Sequence, residues 1–499
     1  MKILSAPQIR EADQYTILHE PIPSIQLMER AAHKVVEILV NEYQSTNRVK
    51  HIFCGTGNNG GDGLAIARLL HQQHHLVKVY LLEGKASKDY STNLQLIKEI
   101  PEIDCINLSS IQQLPEFDAS DIIVDAIFGT GLNQPIKGNI QQIVEHLNQI
   151  EDIIRIAIDI PTGLFADKSN HEEDTIFQSH RVYTFHAPKL AFLLPQNGNN
   201  VNSFKVLDIR LSYEFTENTD GQLYYLEKKD IKKLFQHRKK FTHKGTYGHS
   251  LIIAGSKGKM GAAVLASKAA LKSGTGLVTA HIPCTQNVII QTSVPEAMCS
   301  LDAHGDQWSE LPNINKKTIG VGPGIGTSHT TQAVFRQLLL QSSEPMVIDA
   351  DALNLLSLDP TMMRLVPVNS ILTPHPKEFE RLTEGWDDDF DRLEIQRQFS
   401  KKHHVIIILK GAHTSISDPE GNIFFNSTGN SGMATAGSGD TLTGIVTSLL
   451  SQGYSPKNAA IIGVYVHGLA GNFALETESK ESLIASDIIK NLGKAFNYI

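Results

Sequence analysis

Gly437, Ser438, Gly439 and Asp440 stand directly ahead of an apolar, helix-like run at 441–450. Small residues let a backbone approach a phosphate closely. The N–H groups that open a helix face an anion with the helix dipole behind them. A carboxylate at that helix start is expected to be held ionised beside a phosphoryl group. This is where a general base would sit to take a proton from a hydroxyl attacking phosphorus. The plainer reading makes Asp440 an ordinary N-cap in a Gly-rich loop, and these four residues do not separate the two. In the first half, Asn59, Asp125 and Thr162 each fall at the end of an apolar run. Their oxygens suit a hard cation that wants neither nitrogen nor sulfur; equally, they could only satisfy turn backbone. Asp159, before Ile160-Pro161, could serve as acid or base, accept from sugar hydroxyls, or cap its loop.

These residues need a scaffold that gathers them. Apolar runs at 51–54, 78–82, 121–128, 154–160 and 204–209 read as strands, with helices over 5–45 and 64–70. Strands alternating with helices imply a parallel sheet covered on both faces, with ligands beyond the carboxyl ends of the strands. The loops 55–63, 129–135 and 159–163 fall at three such ends. The first carries GxGxxG from Gly55, a weak dinucleotide signal for which Glu83 could supply the ribose acid. The second half repeats the pattern. Strands at 250–254, 318–321, 345–348, 370–372 and 405–409 lead to the loops 255–261, 322–326, 349–354, 373–378 and 410–414. The loop 255–261 opens a helix at 262–271 but lacks the Walker A spacing. His375, between two prolines, is in too polar a setting for a core histidine, which points to a ligand contact. Lys410 is a phosphate or nucleotide contact or an ordinary strand-end lysine. Asp349 and Asp351 could help hold Mg²⁺ or cap strand ends. Lys189 could meet a phosphate or be a solvated surface lysine. The helix over 456–475, with His467, reads as core.

At 499 residues the chain exceeds one ordinary core, so two domains are expected. Its 45 Lys and Arg against 53 Asp and Glu give a net charge of −8, which argues against nucleic acid or an anionic membrane as partner. The eight basic residues over 228–244 read as a solvated helix face. Four scattered cysteines without CxxC read as free thiols of a reducing, cytoplasmic compartment. The N-terminus lacks a long apolar stretch, and no run is long enough to span a bilayer.

Three stretches carry a resemblance: Cys54 through Gly63 (CGTGNNGGDG), Val124 through Leu132 (VDAIFGTGL) and Ile158 through Leu164 (IDIPTGL). They resemble the signatures of NAD(P)H-hydrate epimerase domains, over roughly residues 1–212. The resemblance implies a Rossmann-like αβα sandwich and a potassium ion at Asn59, Asp125 and Thr162. It implies that Asn58, Asn59, Gly60, Gly61 and Asp62, the loop 129–135 with Gly129, Thr130, Gly131 and Leu132, and Asp159 hold the hydrated nicotinamide nucleotide. Asp159 is the implied catalytic residue. Thr162 stands where Ser is common, and keeps the hydroxyl.

The set His243-Lys244-Gly245, Gly322-Pro323-Gly324, Thr373-Pro374-His375-Pro376, Lys410-Gly411 and Gly439-Asp440 resembles the NAD(P)H-hydrate dehydratase branch of the ribokinase-like α/β sandwiches, over 227–499. A polar stretch at 213–226 then reads as a linker. This resemblance implies substrate contacts at Ala262, Gly324, His375 and Asp440, with Asp440 catalytic. Nucleotide contacts are implied at Lys410, Gly411, Ala412, His413, Thr414 and Gly439. It implies ADP as co-substrate, Mg²⁺ in this domain and a homo-oligomer. Ala436 replaces a Gly and is expected to tighten the anion loop; Ser431 replaces a Pro. Together the resemblances imply repair of hydrated NADH or NADPH: epimer interconversion by the first half and nucleotide-dependent dehydration of the S form by the second. The competing reading is a ribokinase-like small-molecule kinase fused to a nucleotide-binding module.

Overall fold

The computed structural model describes residues 1–499. The chain divides into two compact units. One holds residues 2–221 and 388–390; the other holds Met1, 222–387 and 391–499.

The N-terminal unit is built on strands β1 (Lys50–Cys54), β2 (Val77–Leu81), β3 (Asp104–Asn107), β4 (Ile122–Ala126), β5 (Ile154–Ile158), β6 (Arg181–Phe185) and β7 (Phe204–Leu207). They form one parallel sheet in the order β3-β2-β1-β4-β5-β6-β7. β1 and β4 are buried along their whole length, as strands covered on both faces must be. Alternation sorts their side chains between two cores. Ile52 and Cys54 pack with the helices Ser24–Glu42 and Asn58–Gln72, while Phe53 packs with Ile143, Val144 and Leu147 of the helix Gly138–Gln149. The strand order reverses between β1 and β4, where a crevice opens in such sheets.

The C-terminal unit carries β8 (Leu223–Tyr225), β9 (His249–Ile253), β10 (Leu277–Pro283), β11 (Met298–Asp302), β12 (Thr318–Val321), β13 (Val347–Ile348), β14 (Ile371–Leu372), β15 (Ile406–Leu409), β16 (Ser415–Ser417) and β17 (Ile423–Phe425). The sheet runs β11-β10-β9-β12-β13-β14-β15-β16-β17-β8. It is parallel from β11 to β15 and antiparallel at β15-β16 and β16-β17. β8 pairs parallel to β17. Ile406 and Ile408 face the helices Ser438–Ser451 and Pro456–Ala474, and Ile407 and Leu409 face the opposite core. Here the order reverses between β9 and β12. Gly320 of β12 leaves room for Thr447, whose Oγ1 would lie 2.3 Å from an added Cβ. That absence of a side chain lets the helix Ser438–Ser451 lie close against the sheet.

Several expectations are corrected. The helix expected from residue 64 begins at Asn58, so Asn58 to Asp62 form its first turn rather than a loop. The helix expected from 441 begins at Ser438. Residues 213–226, expected as a linker, hold the helix Tyr213–Asn218 and the sheet strand β8. The basic run is only partly helical, over Lys228–Leu234.

Candidate active sites

In the N-terminal unit the ends of β1, β4 and β5 enclose a cavity of about 470 Å³. Asn58, Asn59, Asp62, Gly129, Thr130, Gly131, Leu132 and Asp159 line it, together with Arg10, Asp13, Asp89 and His186. Gly60 lies beneath the turn, where an added Cβ would sit 1.7 Å from the Gly55 carbonyl oxygen. Gly61 backs onto Met28. Glu83 is exposed and outside this cavity, so the structure gives the dinucleotide reading no ribose acid there.

Asp125 is fully buried at the end of β4. Its Oδ1 accepts from the Thr162 hydroxyl (2.7 Å) and from the Ile127 N–H (3.1 Å), and its Oδ2 from the Thr162 N–H (2.7 Å). Burial outweighs these bonds and raises its pKa to about 6. Asn59 is buried beside them and donates through Nδ2 to the Phe128 carbonyl (3.0 Å). Its Oδ1 is buried with no hydrogen-bond partner. An orphaned buried oxygen beside a carboxylate and a hydroxyl fits an oxygen-loving cation. One carboxylate among neutral oxygens suits a monovalent ion such as K⁺, which amide and hydroxyl oxygens can solvate.

Asp159 takes a left-handed backbone, φ 64°, costly for a residue with a Cβ and common at functional sites. The conformation is held by its N–H on the Tyr183 carbonyl (2.8 Å). Its Oδ1 lies 2.7 Å from Lys189 Nζ and accepts from Thr184 Oγ1 and the Phe185 N–H, both at 3.3 Å. Lys189 is 1% exposed, neither a surface lysine nor placed as a phosphate contact. It is the counter-ion that holds Asp159.

In the C-terminal unit, the helix Ser438–Ser451 starts from Gly437, whose φ of 84° favours glycine. Gly437 is the N-cap, so Asp440 is the third helical residue and caps nothing. Ala436 is exposed. Asp440 is not held fully ionised by the helix start. Burial first, then Asp349 and Asp351, raise its pKa to about 6, with Lys410 opposing. Lys410 Nζ donates to Asp349 Oδ1 (2.8 Å) and Thr443 Oγ1 to Asp349 Oδ2 (2.6 Å). Asp349, 1% exposed, therefore has both oxygens bonded within the protein. An added Cβ on Gly439 would lie 3.3 Å from Lys410 Nζ, so the ammonium sits against the helix start. Asp351 accepts from the Gly326 N–H (2.8 Å) and lies 3.5 Å from Lys259 Nζ. Between the two carboxylates Ala350 has φ 49°, a strained setting that turns them to different partners. Asp351 and Asp440 are the carboxyls nearest the helix start that carry no bond to Lys410, a thin set that fits a Mg²⁺ bound chiefly to phosphate oxygens and water.

The switch point supplies the remaining wall. The Gly255 N–H donates to the Pro323 carbonyl (2.7 Å) and Ser256 Oγ to the Gly324 carbonyl (2.7 Å). Gly324, φ 67°, packs on Ala262, 3.3 Å from an added Cβ, so these two expected contacts are neighbours. His375 is the N-cap of the helix Pro376–Leu382: Nδ1 accepts from the Glu378 N–H (3.3 Å), while the Glu378 carboxylate accepts from the His375 N–H (2.9 Å). Burial lowers its pKa. Its Nδ1 is committed to the backbone. In the loop after β15, Gly411 and Ala412 are exposed, the Gly411 N–H donates to Thr414 Oγ1 (3.2 Å), and His413 Nδ1 lies 3.2 Å from the Asn426 carbonyl oxygen.

Two residues escaped the sequence reading. His467, expected only as core, has Nε2 3.3 Å from Ser438 Oγ, and burial lowers its pKa to about 4. Asp13 lines the first cavity from the helix Ala6–His19. The available signal was an acid one residue from Ala12 in the buried series Ala6, Ile9, Ala12, Thr16.

A family described as NAD(P)H-hydrate dehydratase matches residues 250–494, and one described as YjeF-related protein N-terminus matches 24–191. The bifunctional NAD(P)H-hydrate repair enzyme of Moorella thermoacetica is 34% identical over 98% of this chain and 95% of its own. That of Coxiella burnetii is 32% identical over 97% of each. The crystal structure of the ADP/ATP-dependent NAD(P)H-hydrate dehydratase of Bacillus subtilis, 28% identical, covers 55% of this chain and 98% of its own at a TM-score of 0.49. Kinship over nearly the whole length, with both domain families in one polypeptide, means that the chain belongs to the bifunctional NAD(P)H-hydrate repair enzymes.

Proposed function

We propose that the N-terminal unit interconverts the two epimers of hydrated NADH or NADPH, and that the C-terminal unit dehydrates the S epimer with ADP as phosphoryl donor. The observation that carries the second half is Asp440: a carboxyl with pKa about 6, in the first turn of a helix, beside the Lys410 ammonium. A base poised near neutrality is what general catalysis requires. Asp440 takes the proton of the ring hydroxyl, whose oxygen attacks the terminal phosphorus of ADP; the P–O bond to AMP breaks. The C–O bond then breaks as the neighbouring ring carbon gives up a proton, so phosphate leaves and the ring double bond reforms. The N–H groups at 437–440 and Lys410 stabilise charge on the transferring group. When bound, Mg²⁺ would neutralise phosphate charge, with Asp351 and Asp440 as its protein neighbours.

In the N-terminal unit, Asp159 with its Lys189 partner is the proton-handling residue. Asn58, Asn59 and Asp62, with the loop 129–132, are the walls that hold the nucleotide; Gly60 and Gly61 shape the turn beneath them. A potassium ion at Asn59, Asp125 and Thr162 would supply fixed positive charge and tie the ends of β1, β4 and β5 together. Four free cysteines support a reducing, cytoplasmic location.

A mixture of both hydrate epimers with ADP tests the reading. The full chain should recover all of it as NAD(P)H and release AMP and phosphate. Accumulation of a stable phosphorylated product would instead establish the small-molecule kinase.

A further inference from the structure

Asp159 is not the only carboxyl in the epimerase cavity. Asp13 faces it from the helix Ala6–His19, Asp62 from the first turn of the helix Asn58–Gln72, and Asp89 from the helix Lys88–Lys98. Against these four acids the cavity lining offers Arg10, which is exposed, and His186; Lys189 lies outside the lining and is committed to Asp159 at 2.7 Å. The helix carrying Asp13 is fixed at both ends. Its start is held by the Ser5–Gln8 capping box and by the Ala6 N–H on Asp167 Oδ2 (2.7 Å). Further along, Thr16 Oγ1 accepts from the Ser212 N–H (2.9 Å) and donates to the Ala12 carbonyl (2.7 Å). Asp13 is thus held in place in the wall that also carries Asp159.

Resting on the epimerase reading, we propose that Asp13 is a second catalytic residue of the N-terminal unit, the proton donor that works with Asp159 as base. Water adds to a dihydronicotinamide ring at the carbon beside the ring nitrogen, so the hydroxyl to be inverted sits on that carbon. Asp13 gives its proton to this hydroxyl. The C–O bond breaks, water leaves, and the nitrogen lone pair forms a C=N bond in a planar cation. Water then adds to the other face and passes a proton to the carboxylate of Asp159; return of that proton to Asp13 through water closes the cycle. The same groups run the opposite direction.

The electrostatics agree with these roles. Burial first, then the charge of Asp159, raise Asp13 to about 7, with Lys189 opposing, so it can both hold and give up a proton near neutrality. Asp62 is pushed well above the ordinary carboxylate range by burial and by Asp159, Asp13 and Asp89. A cavity lined with carboxyls also stabilises the planar cation.

The test is Asp13→Asn in the full chain, with Asp13→Glu as the conservative variant. Single epimers are followed by chromatography, and dehydration of the S epimer with ADP is measured in the same samples. Asn should lower kcat for interconversion about 100-fold or more with little change in KM. It should also abolish the loss of rate that the wild type shows as pH rises through about 7, and Glu should restore part of both; dehydration should be unaffected. An Asn variant with wild-type interconversion and an unchanged pH profile overturns the proposal. So does loss of dehydration together with interconversion, which would mark Asp13 as a folding residue. If the wild type itself fails to interconvert epimers, the epimerase reading fails instead.

Discussion

Replacing Asp440 by Asn should make the C-terminal unit more stable and much less active. The folded-state pKa of about 6 lies roughly two units above the ordinary value of 3.8. Each unit is about 1.4 kcal/mol, so the ionised carboxyl destabilises the fold by about 3 kcal/mol at neutral pH. The sign follows from the raised pKa. The destabilisation is present above 6 and is relieved as pH falls from 6 toward 3.8. Asn has nearly the same shape and no charge, so the variant should gain stability at pH 7 and lose that advantage near pH 4. For a unit of this size, 3 kcal/mol corresponds to a rise in Tm of roughly 6–12 °C. Removing the base should slow dehydration by about 10²–10⁴-fold, or about 3–5 kcal/mol of barrier. Recovery of dihydronicotinamide absorbance with ADP, beside a calorimetric melt at both pH values, reads both effects. In the wild type the same rate should fall as pH drops through about 6. Retained dehydration in Asp440→Asn would refute the base. A variant that is inactive and also less stable at pH 7 would refute the argument that burial of this charge strains the site.

Asp159→Ala should halt recovery from an epimer mixture once the S form is consumed, while pure S substrate reacts normally; complete recovery would contradict its role. K⁺ at matched ionic strength should raise the melting temperature of the wild type relative to a bulky organic cation, and Asn59→Ala should lose that increment; equal responses would remove the ion from Asn59. Thr443→Val leaves Asp349 Oδ2 without its 2.6 Å donor and should cost about 1–3 kcal/mol, read by denaturant unfolding. Gly322→Ala should prevent a native C-terminal unit, because at φ 130° the new Cβ would lie 1.8 Å from the Asp349 carbonyl oxygen; a soluble, active variant would show that this loop yields more than the packing implies.

The sequence carried the α/β class, the alternation of elements and the loops that face each crevice. These are local properties. Buried parallel strands such as 406–409 are unbroken apolar runs, and Gly-rich turns mark where backbone must come close. Asp440, Asp159, Asn59, Asp125 and Thr162 could be singled out as candidates because each stands beside such a turn. The tertiary structure alone decided what these side chains meet. Lys189 is 30 residues from Asp159 and pairs with it because β5 and β6 lie side by side. Lys410 and Thr443 converge on Asp349 from β15 and the helix Ser438–Ser451, which no spacing reveals. Asp13 shares a cavity wall with Asp159 although 146 positions separate them in sequence. Burial set the protonation of Asp13, Asp62 and Asp440, and burial depends on every element packed around a group. A sequence can name a carboxyl; the surrounding fold determines whether it holds its proton.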